Sequence, residues 1–206
     1  KGSVTFFTAD KYHPVMATHR AQGQAVVYVE NGCIVAAKGD VQHSIPLTDI
    51  PVTMGGAIGF QVDNVMASVA AAWALELDWR IIRGGLASFN NDNNNAAGRF
   101  NLFKFRGATV IADYGHNPDA MQALVQAVEA LPATRRAVVI SGAGDRRDQD
   151  IRQQTEILGE AFDEVILFED QCQRGRSDGE VIALLREGLA KASRTTSSSE
   201  IRGEFL

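Results

Sequence analysis

The sequence predicts an α/β protein in two parts: a mixed sheet-and-helix piece over residues 1–95, and a largely parallel, doubly wound sheet over 99–206. Three observations predict it. From Asn101 onward, short apolar runs alternate with amphipathic stretches, as strand–helix units require. The stretch Gly107–Pro118, GATVIADYGHNP, leads an apolar run into an acidic residue, a small turn, a histidine and Asn-Pro. Between the halves lies a polar low-complexity tract, Asn90–Asn95 (NNDNNN), whose composition cannot pack and which reads as a linker or exposed loop.

At 206 residues the chain can bury a substantial core as one large or two small domains. Apolar content of 45% and charged content of 22% are ordinary for a globular protein. The net charge of −5 argues against non-specific nucleic-acid binding. Cys33 and Cys172 form no metal-ligand spacing; without a signal peptide or membrane-spanning run they read as reduced thiols, so a cytoplasmic location is expected. Lys1-Gly2-Ser3 precedes the first strand-like run, Val4–Thr8, with no initiator methionine. Glu204-Phe205-Leu206 follows the polar tract Thr195–Ser199 with no closing element, so the sequence reads as a fragment cut at both ends.

In the first part, Ala25–Glu30 (AVVYVE) and Cys33–Ala37 (CIVAA) flank Asn31-Gly32, a strong hairpin signal. Ile45–Ile50 is short and interrupted by Pro46 and Pro51. Gly55-Gly56 and Gly59 approach a helix whose Val62, Val65, Met66, Val69, Ala70, Trp73 and Leu77 recur at offsets of three and four, a core-facing stripe. Asp63 and Asn64 break that stripe near its start and suit a cap or a solvent-facing pair. Ile81–Phe89 adds a short amphipathic helix.

In the second part the strands are Asn101–Phe105, Ala108–Ala112, Ala137–Ser141 and Glu164–Phe168, with helices starting near Asn117, Asp150 and Ser177. Pro118 suits the first turn of a helix, where its missing N–H costs nothing, and Ala120, Leu124, Val128 and Leu131 follow at helical spacing. Asp113, Tyr114 and His116 thus occupy a loop at the carboxyl end of a strand, where open α/β sheets bind ligands. An ordinary strand–turn–helix with an Asp and a His facing water fits those residues equally well. Ser177-x-x-Glu180 reads as a capping box before Val181, Leu184, Leu185 and Leu189. Two further strand-end loops are Gly142–Asp148 (GAGDRRD) and Glu169–Arg176, either ligand-facing or plain surface charge. If the three loops open on one sheet edge, Arg146, Arg147, Arg174 and Arg176 stand beside Asp113, Asp145 and Asp170, a mixed-charge wall suited to a zwitterion.

D-Y-G-H-N-P at 113–118 resembles the signature that opens the C-terminal domain of Mur ligases and folylpolyglutamate synthases. The surrounding text, Gly98-Arg99-Phe100-Asn101, Ser141–Asp148, Phe168-Glu169-Asp170, Arg174-Gly175-Arg176 and Gly179-Glu180, is most similar to the cyanophycin synthetase branch of that family. The resemblance implies a Rossmann-like C-terminal domain over 99–206, truncated at its end, preceded by the incomplete end of the central ATP-binding domain over 1–95. It implies an ATP- and Mg²⁺-dependent ligase that activates a carboxylate as an acyl phosphate for attack by an amine. In that branch arginine is joined to the β-carboxylate of aspartate on a poly-aspartate backbone, giving the cyanophycin polymer, in a full-length enzyme expected to be a homo-oligomer with no nucleic-acid or membrane partner.

By the same resemblance Asn64 would touch adenine, although Phe60-Gln61 stands where the family pattern has His-Asn. Asp113 would hold the ribose hydroxyls, and Arg99 and His116 would lie near the phosphates; Arg99, Asp113 and His116 form the expected catalytic set. Asp145, Arg146, Arg147, Asp170, Arg174 and Arg176 would line the substrate, and no metal ligand is assigned. Catalysis of this kind rests on positioning and charge neutralisation. The chain contains no G-x-x-x-x-G-K-[ST], and none of Lys1, Lys11, Lys38, Lys104 and Lys191 follows a glycine-rich turn, so a phosphate loop upstream of Lys1 is expected and this segment alone is expected not to turn over. The competing readings are a Mur-type ligase acting on folate or a peptidoglycan precursor, a paralogue that polymerises Asp-Arg dipeptides, and a non-catalytic interaction domain of the same fold.

Overall fold

The computed structural model describes residues 2–92 and 94–202, in two compact units that divide between Asp113 and Tyr114. The first unit is built on β2 (Val26–Glu30) and β3 (Cys33–Lys38), antiparallel about Asn31-Gly32. Both turn residues take positive φ, 49° and 71°, as a two-residue hairpin turn demands. β1 (Phe6–Thr8) pairs parallel with β2, and β4 (Val41–Pro46) antiparallel with β3, giving the order β1-β2-β3-β4.

The sheet is apolar on both faces, so its strands carry near-continuous apolar runs. Val27, Ile34, Ala36 and Ile45 pack against Val62, Val65, Met66 and Val69 of α2 (Gly59–Ala74). Val26, Tyr28, Val35 and Ala37 pack against Met16 of α1 (Pro14–Ala21). The sequence gives little sign of α1, whose one buried residue is Met16. α3 (Trp79–Ser88) starts two residues ahead of the expected helix because the Asp78 carboxylate caps the Arg80 N–H at 2.8 Å. Asp63 and Asn64 lie inside α2 on its exposed side rather than at its cap, which is Ile58.

β5 (Asn101–Phe105) and β6 (Ala108–Ala112) correct the sequence reading. They form a separate antiparallel hairpin, not the opening strands of the parallel sheet. Only Arg106 and Gly107 connect them, at φ 48° and 84°, and a two-residue connection can join strands only antiparallel. The loop at 113–116 therefore does not share a sheet edge with the two later loops.

The second unit alternates α4 (Pro118–Glu129), β7 (Ala137–Ile140), α5 (Asp148–Ala161), β8 (Glu164–Glu169), α6 (Glu180–Leu189) and β9 (Ser197–Arg202). Its three strands are all parallel in the order β7-β8-β9. Ile140, Ile151, Leu158, Val165, Leu167, Val181 and Leu185 form its buried interior. β9 overturns the expectation that the polar tract leads to no closing element: Ser197, Ser198 and Ser199 pair with Glu164, Val165 and Ile166. An edge strand with solvent-facing side chains lacks the apolar alternation that announces a strand. The capping box is also only half made. The Ser177 N–H donates to the Glu180 carboxylate at 3.3 Å, but α6 begins at Glu180 behind Gly179, whose φ is 84°.

Among the described residues no helix is long and apolar enough to cross a membrane. The Asp163 carboxylate, just before β8, accepts the Arg136 N–H at 2.8 Å and an N–H of the Arg194 guanidinium at 3.4 Å. The Arg136 hydrogen bond above all holds its carboxyl below the usual aspartate range. A carboxylate depressed in the folded state adds stability above its unfolded value and loses it as pH falls toward the folded one. Acid titration followed by circular dichroism is expected to show stability declining below pH ~4, with a flatter decline in Asp163→Asn. Superposable curves would mean that the contact contributes nothing.

Candidate functional site

The site is assembled from three loops of the second unit. The first, Tyr114–Asn117, ends in a cap: the Asn117 side chain accepts the Ala120 N–H at 2.8 Å, with Pro118 in the first turn of α4. His116 is half-buried there, with Nδ1 3.0 Å from the Tyr114 carbonyl oxygen. The Tyr114 and His116 rings lie 5.5 Å apart, tilted by 58°.

The second loop, Ser141–Arg147, leaves β7. Its glycines are required by packing. A Cβ on Gly142 would meet Val181 Cγ1 at 2.7 Å, and one on Gly144 would lie 2.1 Å from the Gln173 carbonyl oxygen. The Ser141 hydroxyl is buried with no hydrogen-bond partner within the described protein. In the third loop, Arg174 and Gly175 both have positive φ, 47° and 92°, and the Arg176 N–H returns to the Gln173 carbonyl at 3.2 Å. This turn puts Arg174 at its tip.

The three loops meet through arginines. Arg146 reaches His116 Nε2 at 2.5 Å. Arg174 donates to the Tyr114 hydroxyl at 2.9 Å and to Asp145 at 3.3–3.4 Å, contacts that hold its guanidinium more firmly protonated, the tyrosine hydrogen bond most of all. Arg176 donates to the Gly144 carbonyl at 2.7 Å, the Arg146 carbonyl at 2.8 Å and Glu180 at 2.7 Å, and it pairs with Asp148 at 2.8 Å.

Four of the six expected substrate-lining residues, Asp145, Arg146, Arg174 and Arg176, therefore share one contact network with His116. The other two are turned to local work. Arg147 pairs bidentately with Asp150 at 2.8 and 2.9 Å, and Asp170 accepts the Cys172 N–H at 2.9 Å. Tyr114 and Asp148 complete the network and are missing from the sequence-derived set. Tyr114 lay inside the quoted motif, so its position was the available signal.

The remaining expected residues belong to the first unit. Asn64 is exposed on α2 and donates to the Gln61 side chain at 3.2 Å. Asp113 accepts the N–H of Phe100 at 2.9 Å. Phe100 follows Arg99, is buried, and sits at φ 56°, with its ring edge-on to Phe60 at 5.4 Å. The Asn-rich tract is part of this construction: its described residues form a largely exposed loop, as one of the two readings expected, and that loop is held by hydrogen bonds. Asn91 donates to the carbonyls of Arg99 and Phe100, Asn101 to those of Asn91 and Ala96 at 3.1 and 3.0 Å, and Asp92 accepts two backbone N–H groups. Such amide-rich turns hold backbone through side chains, which composition alone does not show. Asn93 lies outside the described residues.

Comparison with known proteins decides the lineage. The family described as Mur ligase, glutamate ligase domain, matches residues 98–202. The chain belongs to the Mur ligase family. Among curated proteins it is similar to the cyanophycin synthetase of Geminocystis herdmanii, at 35% identity over 206 residues, covering 99% of this chain and 23% of that one. The cyanophycin synthetase of a Synechocystis species is 36% identical over 191 residues, covering 92% of this chain and 22% of that one. The chain thus spans under a quarter of the length of these relatives. Among solved structures, the Mycobacterium tuberculosis folylpolyglutamate synthase complexed with ADP and AMPPCP superposes with a TM-score of 0.54 at 20% identity, covering 95% of this chain and 46% of that one. That likeness shows the fold, with the parallel sheet of the second unit as its Rossmann-like part.

Proposed function

We propose that this chain is part of an ATP-dependent amide ligase that joins L-arginine to the β-carboxylate of aspartate on a poly-aspartate backbone. The similarity to cyanophycin synthetases over 99% of the chain is the observation that carries this reading. It favours that chemistry over folate or peptidoglycan ligation. The domain boundary proposed for the enzyme stays at 95–99, between the end of a central ATP-binding domain and a C-terminal domain.

The residues fit the task. ATP activates the carboxylate as an acyl phosphate, and the amine displaces phosphate to form the amide. We assign Asn64 to adenine, Asp113 to the ribose hydroxyls, and Arg99 and His116 to the phosphate region. Asp145, Arg146 and Arg174 form the centre of the mixed-charge wall that receives the zwitterionic amino acid and the charged polymer, and we assign Arg147 and Asp170, engaged in their local contacts, to its margin. Arg176, its fork occupied by protein acceptors, serves that wall through its neighbours. The partnerless buried hydroxyl of Ser141 suits a ligand acceptor at the end of β7. Among the described residues no three His, Cys, Asp or Glu side chains converge. Mg²⁺ carried on nucleotide phosphates needs only one or two carboxylates and water, and we assign it no ligand in this chain. The enzyme is proposed to work as a cytoplasmic homo-oligomer.

The test is ATP-dependent incorporation of arginine into an Asp-Arg polymer primer by a full-length ligase carrying this chain. Incorporation of glutamate into a folate or of an amino acid into a muramyl peptide, with none of arginine, would move the chain to another Mur-type activity. A dipeptide requirement would identify the polymerising paralogue. The 206-residue chain alone, lacking a phosphate-loop motif, is expected to bind ATP no more tightly than about 1 mM, roughly −4 kcal/mol, and not to hydrolyse it. Calorimetry checks this, and micromolar binding would mean that the phosphate contacts are complete within the segment.

A further inference from the structure

We propose that Arg176 is a positioning residue that fixes the tautomer of His116 by way of Arg146. Its side chain is only 16% exposed, and its guanidinium faces protein acceptors at all three nitrogens. Nε–H donates to the Gly144 carbonyl, one terminal nitrogen to the Arg146 carbonyl and Asp148, and the other to Glu180. Two of those acceptors are main-chain carbonyls two residues apart. Both belong to the turn closed by the Arg146 N–H on the Ala143 carbonyl at 3.0 Å. The planar fork thereby sets the backbone from which the Arg146 side chain departs.

Arg146 then reads His116. A guanidinium can only donate, so His116 Nε2 must accept with its lone pair and the ring proton must reside on Nδ1. Nδ1 lies 3.0 Å from the Tyr114 carbonyl, an acceptor placed for that proton. The imidazole is locked at both nitrogens in the Nδ1–H form. It offers no N–H at Nε2, so contact with an anion at this corner falls to Arg146. A lysine at 176 would keep the charge beside Asp148 and Glu180 but cannot span two carbonyls with a flat fork.

The tautomer reads directly in long-range ¹H–¹⁵N spectra of the histidine rings in the 206-residue chain, with His116 assigned by loss of its signals in His116→Asn. The wild-type ring is expected in the Nδ1–H form. Arg176→Lys and Arg146→Ala are each expected to shift it to the Nε2–H form that histidine prefers in water, while the signals of His13, His19 and His43 stay in place. A wild-type ring already in the Nε2–H form, or an unchanged tautomer in Arg176→Lys, would overturn the proposal. Loss of the folded circular-dichroism spectrum in Arg176→Lys would also overturn it, because the residue would then be structural. In a full-length ligase, Arg176→Lys is expected to lower kcat by about 10- to 100-fold with KM for ATP unchanged. That arm alone rests on the ligase reading, so a silent ligase assay with the expected spectra would overturn the activity and leave the positioning role standing.

Discussion

Asp113→Ala, in a full-length ligase carrying this chain, is expected to lower amide-ligase turnover by roughly 30- to 1,000-fold, or about 2–4 kcal/mol of transition-state stabilisation. Two physical effects add there. The carboxylate is assigned to the nucleotide, and it also accepts the N–H of Phe100, a buried residue at positive φ. A non-glycine residue in that region carries a cost of order 1–3 kcal/mol that persists only while its surroundings hold it. Losing Asp113 frees the turn that carries Arg99, so the variant disturbs two assigned residues at once. Asp113→Asn separates the effects: its amide oxygen can still accept from Phe100 and restore the turn, but not the charge. His116→Ala is expected to fall in the same range. Cys33→Ala and Cys172→Ala are expected to match the unsubstituted enzyme, since neither thiol touches the assigned residues. Full activity in Asp113→Ala would make the loop scaffolding.

Much of this arrangement could be read in the sequence wherever side-chain periodicity or turn chemistry controls it. The Asn31-Gly32 hairpin, the apolar stripe of α2 and the βαβ alternation from Ala137 follow local rules, and each element formed within two or three residues of its expected bounds. The failures have two causes. The polar edge strand β9 depends on a partner far away in the sequence and the Asn tract on backbone groups, neither of which composition encodes, whereas the membership of β6 is set by a local turn. Arg106-Gly107 was the overlooked turn signal, of the same two-residue kind as Asn31-Gly32. The candidate site was legible as a list of residue types but not as a division of labour. Arg174 and Arg176 look alike in the sequence. In the fold one stands at an exposed turn tip, and the other is enclosed by four acceptors.

Gly188→Ala is expected to destabilise the second unit by about 3 kcal/mol, at the upper end of ordinary overpacking. For a unit of this size that corresponds to a fall in Tm of roughly 10–20 °C. A Cβ at Gly188 would lie 2.0 Å from the Arg152 carbonyl oxygen and 2.4 Å from Thr155 Oγ1. Neither can yield cheaply. The carbonyl is helix backbone, and the fully buried Thr155 hydroxyl bridges α5 and α6 by donating to the Leu185 carbonyl at 2.7 Å. The new methyl must push α6 off α5 and break that bridge. Helix propensity alone argues the reverse, since Gly→Ala in a helix interior gains about 0.5–1 kcal/mol. Gly85 in α3 isolates that opposing effect: it is exposed, and an added Cβ there meets nothing within 4 Å. Gly85→Ala is therefore expected to raise stability by about 0.5–1 kcal/mol while Gly188→Ala lowers it. Thermal and urea denaturation of the two variants reads the difference in sign, and a raised Tm in Gly188→Ala would mean that α5 and α6 do not approach this closely.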